Sequence, residues 1–127
     1  MPVTVDARIE QRLRSLARMI GNTPMLAIEF NFQGRPRVLH AKAEHFNLTG
    51  SIKDRMALHI MRRAYAEGRV VPGDTIAEAT SGNTGISLAM IAAVRGYRCG
   101  LVMPADMSLE RRYGLRSYGA ESVLTRA

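Results

Sequence analysis

The sequence predicts an α/β chain built around a parallel sheet, and three observations carry that prediction. From Ser51 onward, apolar residues at helical spacing alternate with short β-rich runs, the pattern of βαβ units. Gly68, Gly96 and Gly119 follow the helical runs where helices are expected to stop. The 127 residues, 46% hydrophobic and 23% charged, suit one globular domain and not comfortably two.

Each element follows in order. Asp6 to Met19, leading into Ile20, sets Ile9, Leu13, Leu16 and Ile20 on one helical face. Gly21-Asn22-Thr23-Pro24 ends that helix. Met25 to Phe30 and Arg37 to Ala43 read as two strands around a turn containing Gln33-Gly34. From Ser51, the residues Ile52, Met56, Ile60 and Met61, with Ala57 and Ala64, make the apolar face of a helix ending at Gly68. A turn at Pro72-Gly73-Asp74 leads to a strand over Thr75 to Glu78 and a helix from Asn83 to Arg95 that closes on Gly96. Cys99 to Met103 is a strand, Ser108 to Tyr118 a helix capped by Gly119, and Ser122 to Thr125 begins another strand. Right-handed crossovers are expected to put helices on both faces of the sheet, giving three layers.

Composition excludes several function classes. Cys99 is the single cysteine, so neither an internal disulfide framework nor a multi-cysteine metal site is expected, and its apolar strand marks a packed core thiol. The methionines read as core filling, and no metal site is expected. The net charge of +7 is mostly arginine without an aromatic ladder or zinc signature, which favours solvated helix faces or small anionic ligands over nucleic acid. No run reaches the length of a membrane span and the first residues lack an apolar signal region, so a cytoplasmic location with no membrane partner is expected.

Two loops carry chemistry. In Asn47-Leu48-Thr49-Gly50-Ser51-Ile52-Lys53-Asp54-Arg55 a lysine opens a helix, where the dipole presents its positive end and cations are not favoured. That placement suits a lysine that reacts as a neutral amine in Schiff-base chemistry, and equally a solvated lysine over a helix start. In Thr80-Ser81-Gly82-Asn83-Thr84-Gly85, small residues sit between the carboxyl end of a strand and the start of a helix. Free N–H groups and hydroxyls there suit an anion, although Ser81 or Asn83 could serve as a simple N-cap. Neither loop is a Walker A or a dinucleotide fingerprint.

Together with Gly21-Asn22-Thr23-Pro24, and with Met103-Pro104 followed by Met107-Ser108-Leu109-Glu110-Arg111-Arg112, these loops occur in an order that resembles the β-family, or fold type II, of pyridoxal-phosphate enzymes. The resemblance runs from about Ile20 to the end and is greatest to cysteine synthases, also called O-acetylserine sulfhydrylases. It implies pyridoxal 5′-phosphate as cofactor, with Lys53 holding it covalently and acting as acid and base. It implies that Asn83 hydrogen-bonds the cofactor's 3-hydroxyl oxygen, and that Thr80, Ser81, Gly82, Asn83 and Thr84 form the loop binding the substrate carboxylate. Leu48 departs from the family, where proline is common, and is expected to loosen the approach to Lys53 modestly. Ser108 reads as an N-cap; His45, close to the Lys53 loop, is a lesser candidate contact that reads more simply as a surface or packed histidine, and His40 and His59 are unclaimed.

The implied domain pattern assigns residues 1–43, the helix and strand pair, to a large domain otherwise absent, and residues 44–127 to the small substrate-binding α/β domain. The phosphate cup and the group facing the pyridine nitrogen belong to that absent part, so the chain reads as an N-terminal portion expected to be inactive alone. The implied reaction is β-replacement on O-acetylserine with sulfide to give cysteine, by a homodimer when full length. Cystathionine β-synthase and 2,3-diaminopropionate synthase types, or a non-catalytic binding module on this fold, are the alternatives.

Overall fold

The computed structural model describes residues 7–80 and 82–126. Helix α1, Ala7–Arg18, buries Leu13 and Leu16 against α3, with Ala17 and Ile20 packed at the margin. Helix α1 shares one core with the elements that follow the hairpin. The helix ends where expected, and the chain reverses through Gly21 and Asn22, both at positive φ. Asp6, the expected first residue, lies outside the described residues.

Strands β1, Met25–Phe32, and β2, Arg35–Lys42, pair antiparallel in the register Phe32↔Arg35 to Met25↔Lys42. Gln33 and Gly34 alone connect them, at φ of 51° and 72°, as a two-residue hairpin turn with left-handed backbone requires. Pairing therefore runs closer to the turn than the sequence reading set it. Pro36 faces Asn31, one position beyond the pair that closes the turn. Such a pair exchanges no hydrogen bonds, so the missing N–H costs nothing there. Met25, Leu26, Ile28, Phe30, Phe32, Val38 and Leu39 are all exposed, so neither face of the hairpin is covered among the described residues.

A single turn of 3-10 helix at Glu44–Phe46, not foreseen from the sequence, leads to α2, Lys53–Ala66. Then follow β3, Thr75–Ala79, α3, Asn83–Arg95, β4, Arg98–Pro104, α4, Leu109–Ser117, and β5, Glu121–Thr125. The three strands form a parallel sheet in the order β3-β4-β5. Helices α2, α3 and α4 close with one device. After α3 the Tyr97 N–H bonds the Ala92 carbonyl at 3.0 Å while Gly96 takes the left-handed conformation at φ 73°. Gly68 and Gly119 repeat it, which is why the ends of these helices were readable. At the other end of α4, Ser108 accepts the Arg111 N–H and is the N-cap the sequence indicates.

The α/β class with a parallel sheet is as expected, but the third layer is not found among the described residues. Strands that lie side by side in chain order keep both right-handed crossovers on one side. Accordingly α3 and α4 touch each other, and Cys99, Leu101 and Met103 of β4 are buried beneath them. The opposite face stays bare, with Val102 37% and Val123 59% exposed. Cys99 is a core thiol, and burial pushes its pKa up. Met61, Met90 and Met103 fill the core as expected, whereas Met19, Met25 and Met56 are exposed. At the end of α3, Arg95 is buried with its guanidinium 4.1 Å over the Tyr65 ring. Ile91 sits at the centre of the core. Ile91→Val is expected to cost about 1 kcal/mol, read as a lower urea midpoint with an unchanged m-value.

Candidate functional site

Lys53 is the first residue of α2. The turn before it reverses at Gly50, whose N–H bonds the Asn47 carbonyl at 2.9 Å, and the Ser51 hydroxyl accepts the Lys53 N–H at 3.1 Å. Lys53 itself is exposed and enters none of the ion pairs found among the described residues. Leu48, where the related pattern has proline, is half-buried and packs against the core instead. Next to Lys53, Asp54 is buried. Its carboxylate accepts the Thr49 N–H at 2.7 Å, the Thr49 hydroxyl at 2.5 Å and the Ser87 hydroxyl at 2.5 Å. The last of these joins the first turn of α2 to α3, one turn beyond Asn83.

The second loop lies at the carboxyl end of β3. The Thr80 N–H extends the ladder to the Val102 carbonyl at 2.9 Å, and the Thr80 hydroxyl accepts the Gly82 N–H at 3.3 Å. Gly82 is the N-cap of α3 and has no side chain to offer that helix's first N–H groups. Asn83 is exposed at the first helical position. Gly85 is there because nothing larger fits: a Cβ would stand 2.7 Å from the Thr80 Cγ2 and 3.3 Å from the Leu101 Cδ1. This close approach draws the loop onto the helix start. Thr84 lines a cleft of about 470 Å³ with Met56, Ile60, Ala77, Glu78 and others. Ser81 lies outside the described residues. Thus the structure joins, through Asp54 and Ser87, the two helix starts that carry Lys53 and Asn83.

A third cluster braces the Lys53 turn from behind. Glu44 holds the Arg55 guanidinium through bonds of 2.8 and 3.0 Å, accepts the Thr23 hydroxyl at 2.8 Å and receives the Asn47 amide at 2.7 Å. Asn47 in turn accepts the Gly21 N–H at 2.7 Å, and the Lys42 amine donates to the Thr23 carbonyl. A side chain at Gly21 would meet the Arg55 guanidinium at 3.1 Å. The Gly21-Asn22-Thr23-Pro24 motif and the Asn47–Arg55 motif are therefore one hydrogen-bonded joint. The Arg55 guanidinium, then the Thr23 hydroxyl and Asn47 amide, hold the Glu44 carboxyl down from 4.5 to about 2. Its folded-state value lies below its unfolded one, so its contribution is complete above about 4.5 and is lost as pH falls toward 2. Thermal midpoints of wild type are expected to fall more steeply over that interval than those of Glu44→Gln.

Sequence reasoning found both loops but missed Ser87 and Glu44, whose partners are far apart in the chain. His45 is exposed, with its ring 4.5 Å from that of Phe46. Among the described residues no His, Cys, Asp and Glu group could hold a metal, and no helix is long and apolar enough to cross a membrane. A cleft of about 750 Å³ lies elsewhere, between α1 and the end of α2, and none of the candidate residues lines it.

Residues 16–127 match the family described as pyridoxal-phosphate dependent enzyme. Cystathionine beta-synthase of Rattus norvegicus is 49% identical over 124 residues, 96% of this chain and 22% of that protein. Cysteine synthase B of Salmonella typhimurium is 47% identical over 112 residues, 88% of this chain and 37% of that protein. Among solved structures, a hydrogen sulfide-producing enzyme from Fusobacterium nucleatum superposes with a TM-score of 0.88 at 41% identity, covering 92% of this chain and 35% of the other. O-ureido-L-serine synthase gives 0.79 at 45% identity, covering 87% and 35%. The chain thus spans between 22% and 37% of the length of these relatives.

Proposed function

The chain belongs to the pyridoxal-phosphate dependent enzyme family, and we propose that it forms the lysine-bearing part of a β-replacement enzyme that makes cysteine from O-acetylserine and sulfide. One observation supports the reading above the rest: an exposed lysine and a small-residue loop occupy neighbouring helix starts tied together by Asp54 and Ser87.

The residues present fit the cofactor. Gly85 lets the Thr80 loop close onto the start of α3, and the Gly82 cap, where a Cβ would meet nothing within 4 Å, leaves that terminus open to a ligand. Lys53 would hold pyridoxal phosphate through Nζ, and the Asn83 amide would donate to its 3-hydroxyl oxygen. When bound, the cofactor supplies an electron sink for the charge left at the substrate's α-carbon. Lys53 Nζ, as a free amine, would be the base that takes the substrate's α-proton. The hydroxyls of Thr80, Ser81 and Thr84, with the N–H groups at the start of α3, bind the substrate carboxylate and orient it. The α3 dipole favours that anion.

The intact enzyme is expected to be a homodimer. The decisive experiment offers O-acetylserine, serine and O-phosphoserine, each with sulfide or homocysteine, to the full-length protein while thioether and cysteine products are measured. Fastest turnover of O-acetylserine with sulfide supports the proposal. Fastest turnover of serine with homocysteine would replace it with the cystathionine-forming reading.

A further inference from the structure

We propose that Asp54 and Ser87 are positioning residues that lock the Lys53 turn to the start of α3, so that the lysine and the anion-binding loop meet the cofactor as one rigid unit. This rests on the reading of Lys53 given above.

Asp54 is 1% exposed and Ser87 is 0% exposed. A carboxylate so placed persists only where donors replace its water, and here there are three. Two come from Thr49 in its own loop and would satisfy it locally. The third, from Ser87, crosses 33 residues of sequence to another helix. Cohesion between α2 and α3 does not require it, because Ala57, Met61 and Leu88 already pack in the shared core. An apolar pair would hold the helices together at lower desolvation cost. What the charge-assisted bond adds is direction: it fixes the offset and rotation of one helix start against the other, which apolar packing leaves free to slide. Lys53 is the neighbour of Asp54, and Asn83 lies one turn before Ser87. A slip between the helices would therefore move Lys53 relative to the Thr80–Thr84 loop, and misplacement of that kind is costly to a reacting group.

The test uses the full-length protein, treated with pyridoxal phosphate, reduced with borohydride and mapped by mass spectrometry. Lys42 and Lys53 are the two lysines of the sequence, and Lys42, which donates to the Thr23 carbonyl and takes no part in the Asp54–Ser87 bond, normalises the labelling. Ser87→Ala is expected to lower the ratio of Lys53 to Lys42 adduct about tenfold, the effect of losing one hydrogen bond to a buried charge. Ser87→Thr, which keeps the hydroxyl, should restore most of it. Ile91→Val, which weakens the core without touching the network, should leave the ratio unchanged. An unchanged ratio in Ser87→Ala, or an equal fall in Ile91→Val, would overturn the positioning role. Equal labelling of both lysines in the wild-type chain would instead overturn the reading of Lys53 on which the proposal rests.

Discussion

Asp54→Ala is expected to destabilise the fold by about 3 kcal/mol, more than any other substitution considered in the site. The carboxylate is the common acceptor for the Thr49 N–H, the Thr49 hydroxyl and the Ser87 hydroxyl. Truncation strands all three donors, with Ser87 fully buried. A domain of this size has only about 5–15 kcal/mol in hand, so the loss is a large share. The corresponding fall in thermal midpoint is about 10 °C, measurable by circular dichroism. Asp54→Asn, which preserves the shape and one acceptor, should fall by less. A midpoint within a degree of wild type for the alanine variant would mean that the network contributes nothing to holding the Lys53 turn.

Gly85→Ala comes next, at about 2 kcal/mol. The cost does not arise from helix propensity, which favours alanine, but from space. The new methyl would stand 2.7 Å from the Thr80 Cγ2 and 3.3 Å from the Leu101 Cδ1. Leu101 is fully buried and has nowhere to retreat, so the strain passes to Thr80 and the loop it opens. Gly82→Ala is the control, because a Cβ there meets nothing within 4 Å and the extended backbone tolerates it. Urea unfolding of the two variants should separate them clearly. Equal midpoints would contradict the close approach of loop and helix.

Much of this architecture is legible in the sequence where one local signal decides it. Helix α3 begins and ends where the apolar run and Gly96 place it, because a left-handed glycine closes a Schellman motif whatever surrounds it. The hairpin turn was readable for the same reason, while its extension past Pro36 depended on pairing register that the sequence does not display. Layering failed for a global reason: it depends on the order in which strands lie in the sheet, and three strands in chain order leave one face bare. In the site, Lys53 and the Thr80–Gly85 loop could be found because each couples a distinctive residue set to a helix start. The Asp54–Ser87 bond and the Glu44–Arg55 joint could not, since Ser87 reads as an ordinary small residue in an apolar helix and Glu44 as a loop carboxylate. Their meaning lies in contacts between segments, such as the one that ties Gly21 to Asn47.

The most direct test of the central claim, that Lys53 is the cofactor lysine, is the absorbance of the purified full-length protein with pyridoxal phosphate before and after borohydride, with Lys53→Ala alongside. A visible band bleached by borohydride, absent in Lys53→Ala and leaving a reduced adduct on Lys53, is the predicted result. A band of equal strength in Lys53→Ala, with the adduct on Lys42, would contradict it.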